Sequence, residues 1–121
     1  MNLFRYLSPQ EKAFLVALLQ GKPETMHFVN ALDGLVVKEM NDGGMGSLLL
    51  IPSGLEAASR VFGHQLVSGE FEDTDGVLVS AALNVDCQGR LYELDLWKVN
   101  FAPLLAWPSA SAIRIQGTPI P

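Results

Sequence analysis

Cysteine occurs once, at Cys87, and histidine twice, at His27 and His64. A lone thiol excludes an intramolecular disulfide and a cysteine-based zinc cage. The two histidines stand in neither a His-x-x-x-His nor a His-Glu-x-x-His spacing, so a metal would need them to converge with distant carboxylates. A Cys87–His64 nucleophilic pair would have to join a turn to a remote strand end, and no Gly-x-Ser-x-Gly elbow is present. No cofactor is expected. Basic residues are also scarce: eight Lys plus Arg against thirteen Asp plus Glu leave a net charge of −5. That field repels nucleic-acid phosphates, and no basic run overcomes it locally. Long apolar runs are absent too. None nears the roughly 20 residues of a membrane span. The segment Ala13–Leu19 follows Ser-Pro-Gln-Glu-Lys without a cleavage site, unlike an export signal. The expectation is a cytoplasmic protein that binds neither membrane nor nucleic acid.

What the chain does have is core material. Of its 121 residues, 49% are hydrophobic and 17% charged, enough for a single folded domain spanning 1–121. A core of that size buries roughly two thirds of the unfolded surface.

Helix signals open the chain. In Ser8-Pro9-Gln10-Glu11, the serine can cap a free N–H, the proline loses nothing at the first turn, and the glutamate can complete a capping box. Phe14, Leu15, Leu18 and Leu19 recur on one face before Gly21, predicting a helix over 9–20. In the segment from Pro23 to Leu32, Phe28 and Leu32 have helical spacing ahead of Gly34. Asp33-Gly34 could also turn a hairpin, and the helix is favoured. Ser53-Gly54-Leu55-Glu56 repeats the capping pattern and predicts a short helix near 53–62.

Strand signals fill the middle. Leu35–Met40 and Ser47–Ile51 flank a glycine-rich loop and read as a hairpin. Three further strands follow at about 64–72, 77–85 and 90–99, separated by Asp73-Thr74-Asp75-Gly76 and Asp86-Cys87-Gln88-Gly89. Pairing Val85 with Arg90 sets Leu83 opposite Tyr92, Ala81 opposite Leu94 and Val79 opposite Leu96, all on one apolar face. The other face then carries Ser80, Ala82 and Asn84 beside Leu91, Glu93, Asp95 and Trp97. Residues 101–121 contain four prolines and read as an irregular tail, in which Ile113 and Ile115 could add a short edge strand. The predicted fold class is α+β: a mainly helical segment 1–34 packed on an antiparallel sheet of about five strands drawn from 35–100.

Two constellations carry functional potential. Asp42, Gly43, Gly44, Met45 and Gly46 form a loop whose successive N–H groups could cradle an anion. It matches no phosphate-binding motif, and a hairpin turn explains its glycines as well. Glu93 and Asp95 share a strand face about 7 Å apart. With Glu70 or Glu72 from a neighbouring strand they could hold a hard cation or perform acid–base chemistry. Surface carboxylates balanced by Lys98 and Arg90 are the simpler account. Trp97 beside them is either an anchor for a partner or part of the core beneath the first helix.

Asp42-Gly43-Gly44-Met45-Gly46-Ser47-Leu48, Asp73-Thr74-Asp75-Gly76-Val77 and Leu91-Tyr92-Glu93-Leu94-Asp95-Leu96-Trp97-Lys98-Val99-Asn100-Phe101 together resemble an uncharacterised family of small bacterial proteins, a domain of unknown function. The likeness spans about 35–105, and the family pattern has an acid where this chain has Asn100. The resemblance implies no activity. Size, acidity and the lack of catalytic parts suggest a non-catalytic protein-binding module, such as an immunity protein inhibiting a toxin, with Glu93, Asp95 and Trp97 as its surface and the Asp42–Gly46 loop as a second one. The alternative is a small-ligand-binding or metal-dependent enzyme using Glu93 and Asp95.

Overall fold

The computed structural model describes residues 4–55 and 60–116. Among these, seven strands form one antiparallel sheet: β1 (Phe4–Tyr6), β2 (Val36–Glu39), β3 (Leu48–Ile51), β4 (Phe62–Glu72), β5 (Leu78–Asp86), β6 (Leu91–Lys98) and β7 (Arg114–Ile115). Their spatial order is β1-β2-β3-β6-β5-β4-β7. The α+β class holds, with seven strands where about five were expected. The two additions are short edge strands, β1 within the segment read as helical and β7 within the tail.

Helix α1 spans Pro9–Gln20, as its signals predict. Ser8 Oγ accepts from Glu11 N at 3.1 Å, and Glu11 Oε1 accepts from Ser8 N at 2.9 Å, completing the capping box. Phe14, Leu15, Leu18 and Leu19 are buried against the sheet. The helix ends at Gly21 in a right-handed conformation. Glycine is needed there for space, because a Cβ would lie 2.7 Å from Ile115 of β7.

Pro23–Leu32 is helical but forms a 3₁₀ helix rather than an α-helix. Thr25, fully buried, donates from its hydroxyl to the carbonyls of Leu19 and Lys22, tying this segment tightly to the end of α1. The short helix expected near 53–62 is not supported by the described residues around it. Ser53-Gly54 is a turn, and Phe62 already begins β4; residues 56–59 lie outside the described part.

One face of the sheet packs on α1. Val37, Leu48, Leu50, Val67, Phe71, Val79, Ala81, Leu83, Leu94 and Leu96 join the helix residues in one contiguous core. Trp107 from the tail packs on Phe14, ring centroids 5.2 Å apart. Trp107, rather than Trp97, is thus the tryptophan beneath the first helix.

The β5–β6 register departs from expectation. Val85 pairs with Leu91, Leu83 with Leu94, Ala81 with Leu96 and Val79 with Lys98, with an irregularity next to Asn84. The turn shifts the pairing by one residue, and a bulge at Tyr92 shifts it by another. A one-residue slip would invert every side chain, whereas two restore the face, so Leu94 and Leu96 still point inward. Leu91 turns inward and Tyr92 becomes half-buried. Arg60 sits at this irregularity: its guanidinium donates to the Leu91 carbonyl at the bulge and to the Leu50 carbonyl at 2.6 Å. It also lies 5.1 Å from the Tyr92 ring centre.

Candidate functional site

Alternation along β6 sends Glu93, Asp95 and Trp97 to the sheet face opposite α1. Across the sheet, Glu93 aligns with Asn84 and Gln65, Asp95 with Ala82 and Ser68, and Trp97 with Ser80 and Glu70. Asp95 is exposed, and Trp97 is 48% exposed. Glu93 accepts from Asn84 Nδ2 at 3.0 Å. Among the described residues, no lysine or arginine pairs with Glu93 or Asp95. The three residues singled out from the sequence therefore share one open surface.

Glu70 and Glu72 do not join them. Strand β5 lies between β4 and β6, which separates the two sets of carboxylates by roughly 10 Å across the sheet. Arg114 engages Glu72 at 2.8 Å and Glu70 at 3.6 Å instead. The carboxylate cluster postulated for a cation does not assemble from these residues.

Lys98 does not balance Glu93 and Asp95 either. Alternation along β6 places it on the same inward face as Leu94 and Leu96, where it is fully buried. Its Nζ donates to Asp73 Oδ2 and Asp75 Oδ2, both at 2.8 Å, and to the Pro103 carbonyl at 3.2 Å. Burial alone would depress the Lys98 pKa, but the two aspartates outweigh it and hold the ammonium above its ordinary value. Burial likewise favours a neutral Asp73. Lys98 and the N–H groups of Leu105, Thr74 and Ala106 reverse that, so its carboxyl titrates below the usual range. The Asp73-Thr74-Asp75 motif and the lysine of the β6 motif thus form one clasp that holds the tail, with Asp73 and Lys98 buried and Asp75 at the surface. No local pattern signals this, since the partners are far apart in the chain.

Arg90, the other expected counter-ion, pairs with Asp86 at 3.0 Å, as does Arg60. Asp86 also accepts from the N–H groups of Gln88 and Arg90. Burial opposes its ionisation, yet these donors lower its pKa to about 2.

The glycine-rich loop joins β2 to β3, as a hairpin connection should. Gly43, Gly44 and Gly46 have φ of 78°, 83° and 103°, a region open to glycine with little strain. The anion that its N–H groups bind is its own. Asp42 Oδ1 accepts from Met45 N and Oδ2 from Ser47 N, each at 3.1 Å. The loop then supports β6 from the side. Ser47 Oγ accepts from Leu96 N at 2.8 Å and donates to Leu96 O at 3.1 Å. Met45 sulfur accepts from Lys98 N at 3.3 Å. A Cβ on Gly46 would meet Leu96 at 2.8 Å. Met45, Gly46 and Ser47, held in a loop that Asp42 closes, accordingly buttress the strand that carries Glu93, Asp95 and Trp97.

Phe101 is the residue that sequence reasoning missed. It is 69% exposed, its ring centre lies 6.0 Å from that of Trp97, and its φ is +64°. A bulky residue in the left-handed region is strained. The strained turn is fixed by Phe101 N donating to Lys98 O at 2.8 Å and Ala102 N donating to Asn100 Oδ1 at 3.1 Å. An acid at position 100 would supply the same acceptor. The outcome is an aromatic pair on the open face beside a carboxylate, Asp95, that is unpaired among the described residues.

No helix among the described residues is long and apolar enough to cross a membrane. Comparison with curated proteins and with solved structures returns no match. A family model does match, over residues 4–108; the chain belongs to the family described as Domain of unknown function (DUF6984).

Proposed function

We propose that the chain is a non-catalytic protein-binding module that docks a basic partner on the open sheet face. Trp97 and Phe101 form the apolar anchor, and Glu93 and Asp95 form the charged rim. The observation that carries this reading is the exposure of Trp97 beside Asp95 on a strand braced from both sides, with Phe101 held against it in a strained conformation. Binding needs a rigid complementary surface with aromatic anchors, and these residues supply one. The specific form we favour is that of an immunity protein blocking a toxin domain.

The test starts from a partner captured with the intact chain. Its association should slow steeply as salt rises, while dissociation changes little. Glu93→Gln with Asp95→Asn should reduce the association rate, and Trp97→Ala should chiefly raise the dissociation rate. Wild-type kinetics in both variants would remove this surface assignment. A captured partner that is harmless when expressed alone would remove the immunity role.

A further inference from the structure

Beside Trp97 the open face sinks into a shallow hollow of about 290 Å³ lined by Gln65, Ser68, Ser80, Ala82, Asp95 and Trp97. Its shape follows from residue size. The positions across the sheet from Trp97 and Asp95 are Ser80 and Ala82, with Ser68 next to Ala82. Small side chains on two adjacent strands thus leave a step down from the indole. The volume is just below the roughly 300 Å³ at which small-molecule pockets begin, a size suited to one side chain.

The chemistry of the walls selects a cation. Asp95 is unpaired among the described residues, and Glu93 lies two positions along the same face of β6. Arg114, at the β4 edge, is already engaged by Glu70 and Glu72. One wall is the Trp97 indole, a ring whose face attracts a cation and stacks best on a planar one. Ser68 and Ser80 hydroxyls and the Gln65 carboxamide add oxygen acceptors around the floor. A guanidinium uses all of these at once: its plane on the indole, a forked pair of N–H groups on the carboxylate, and further N–H groups on the hydroxyls. An ammonium is a compact, more strongly hydrated point charge and uses fewer.

We propose that this hollow is a subsite for one arginine side chain of the docked partner, the guanidinium paired with Asp95 and stacked on Trp97. The proposal rests on the docking reading above and specifies which side chain the partner presents.

The test uses isotope-labelled intact protein titrated with Nα-acetyl-arginine amide and followed by NMR. The citrulline analogue serves as the neutral isostere and the Nα-acetyl-lysine amide as the charge control. Saturable shifts in the millimolar range are expected at the Trp97 indole N–H and at the amides of Ser80, Ala82 and Asp95. Lysine should bind several-fold more weakly, and citrulline should not saturate. Asp95→Asn should weaken arginine at least about tenfold, and Ser80→Leu, which fills the hollow from the floor, should abolish saturation. The remainder of each variant's spectrum reports whether it stays folded. Equal binding of citrulline, shifts centred elsewhere, or an unchanged affinity in a folded Asp95→Asn variant would overturn the subsite. If the arginine probe fails while a captured partner still depends on Trp97 and on salt, the subsite falls and the docking reading stands. If the probe binds as expected but the partner ignores Glu93→Gln with Asp95→Asn, the guanidinium site stands and the docking reading falls.

Discussion

At the scale of single residues, the molecule separates charges that the sequence presents together. Asp95 and Lys98 lie three positions apart on β6, yet one faces solvent and the other is fully buried. Strand alternation explains the difference, and it also makes Glu93, Asp95 and Trp97 readable as one face from the sequence alone. The destination of Lys98 was not readable, because its partners Asp73 and Asp75 come from the turn between β4 and β5 and its third acceptor, the Pro103 carbonyl, from the tail. Removing one member of a buried ion cluster leaves the others desolvated without compensation. Lys98→Met should therefore lower the melting temperature by about 10 °C or more. Adding Asp73→Asn to that variant should recover part of the loss, since the second change removes a stranded charge. Thermal unfolding of the two variants checks both statements, and an unchanged melting temperature in Lys98→Met would mean that the lysine is solvated. Phe101 teaches a related lesson. Its positive φ depends on the hydrogen bonds of the turn around it, and neither its residue type nor its neighbours announce that conformation.

At the scale of elements, legibility followed how local the determinants are. Helix α1 was readable to its ends because its cap, proline and apolar stripe are all written within the segment. Ser8→Ala should cost about 1 kcal/mol, seen as a lower urea midpoint with an unchanged slope; an unaltered midpoint would show that the cap contributes nothing. The Asp42–Gly46 loop was readable as a hairpin turn, but its role as a brace for β6 required knowing which strand lies alongside. The β5–β6 register was not readable, because the bulge that offsets it is met by a residue foreign to both strands. Arg60, from the segment before β4, donates to the Leu91 carbonyl there. Strand order was equally hidden: placing β6 beside β3 and β5 between β6 and β4 is a choice of the whole sheet. That order kept Glu70 and Glu72 away from Glu93, and with them went the geometry a cation site would have used.

At the scale of the whole molecule, the excess of acids over bases is distributed between two roles, and pH separates them. Glu93 and Asp95 occupy the open face, whereas Glu11, Asp73 and Asp86 are buried and hydrogen-bonded. In Glu11, burial favours the neutral acid, but Arg5 and Ser8 overcome it and lower the pKa. Asp73 is lowered in the same sense, and Asp86 is held at about 2, against an ordinary value of 3.8. A carboxyl whose pKa is lower in the folded than in the unfolded chain binds fewer protons when folded. Its stabilisation is present above the unfolded pKa and disappears as pH falls through the folded one. Stability should accordingly change little as pH drops from 7 to about 5, then decline steeply between about 4 and 2. Urea denaturation at a series of pH values measures this. Asp86→Asn should be less stable than the parent at pH 7, because Arg60 loses a buried counter-charge, and its stability should fall less steeply in the acid range. The curves of parent and variant should therefore converge toward pH 2. Parallel curves across that range would mean that Asp86 titrates alike in the folded and unfolded chains, and that the acid limb belongs to Glu11 and Asp73 alone.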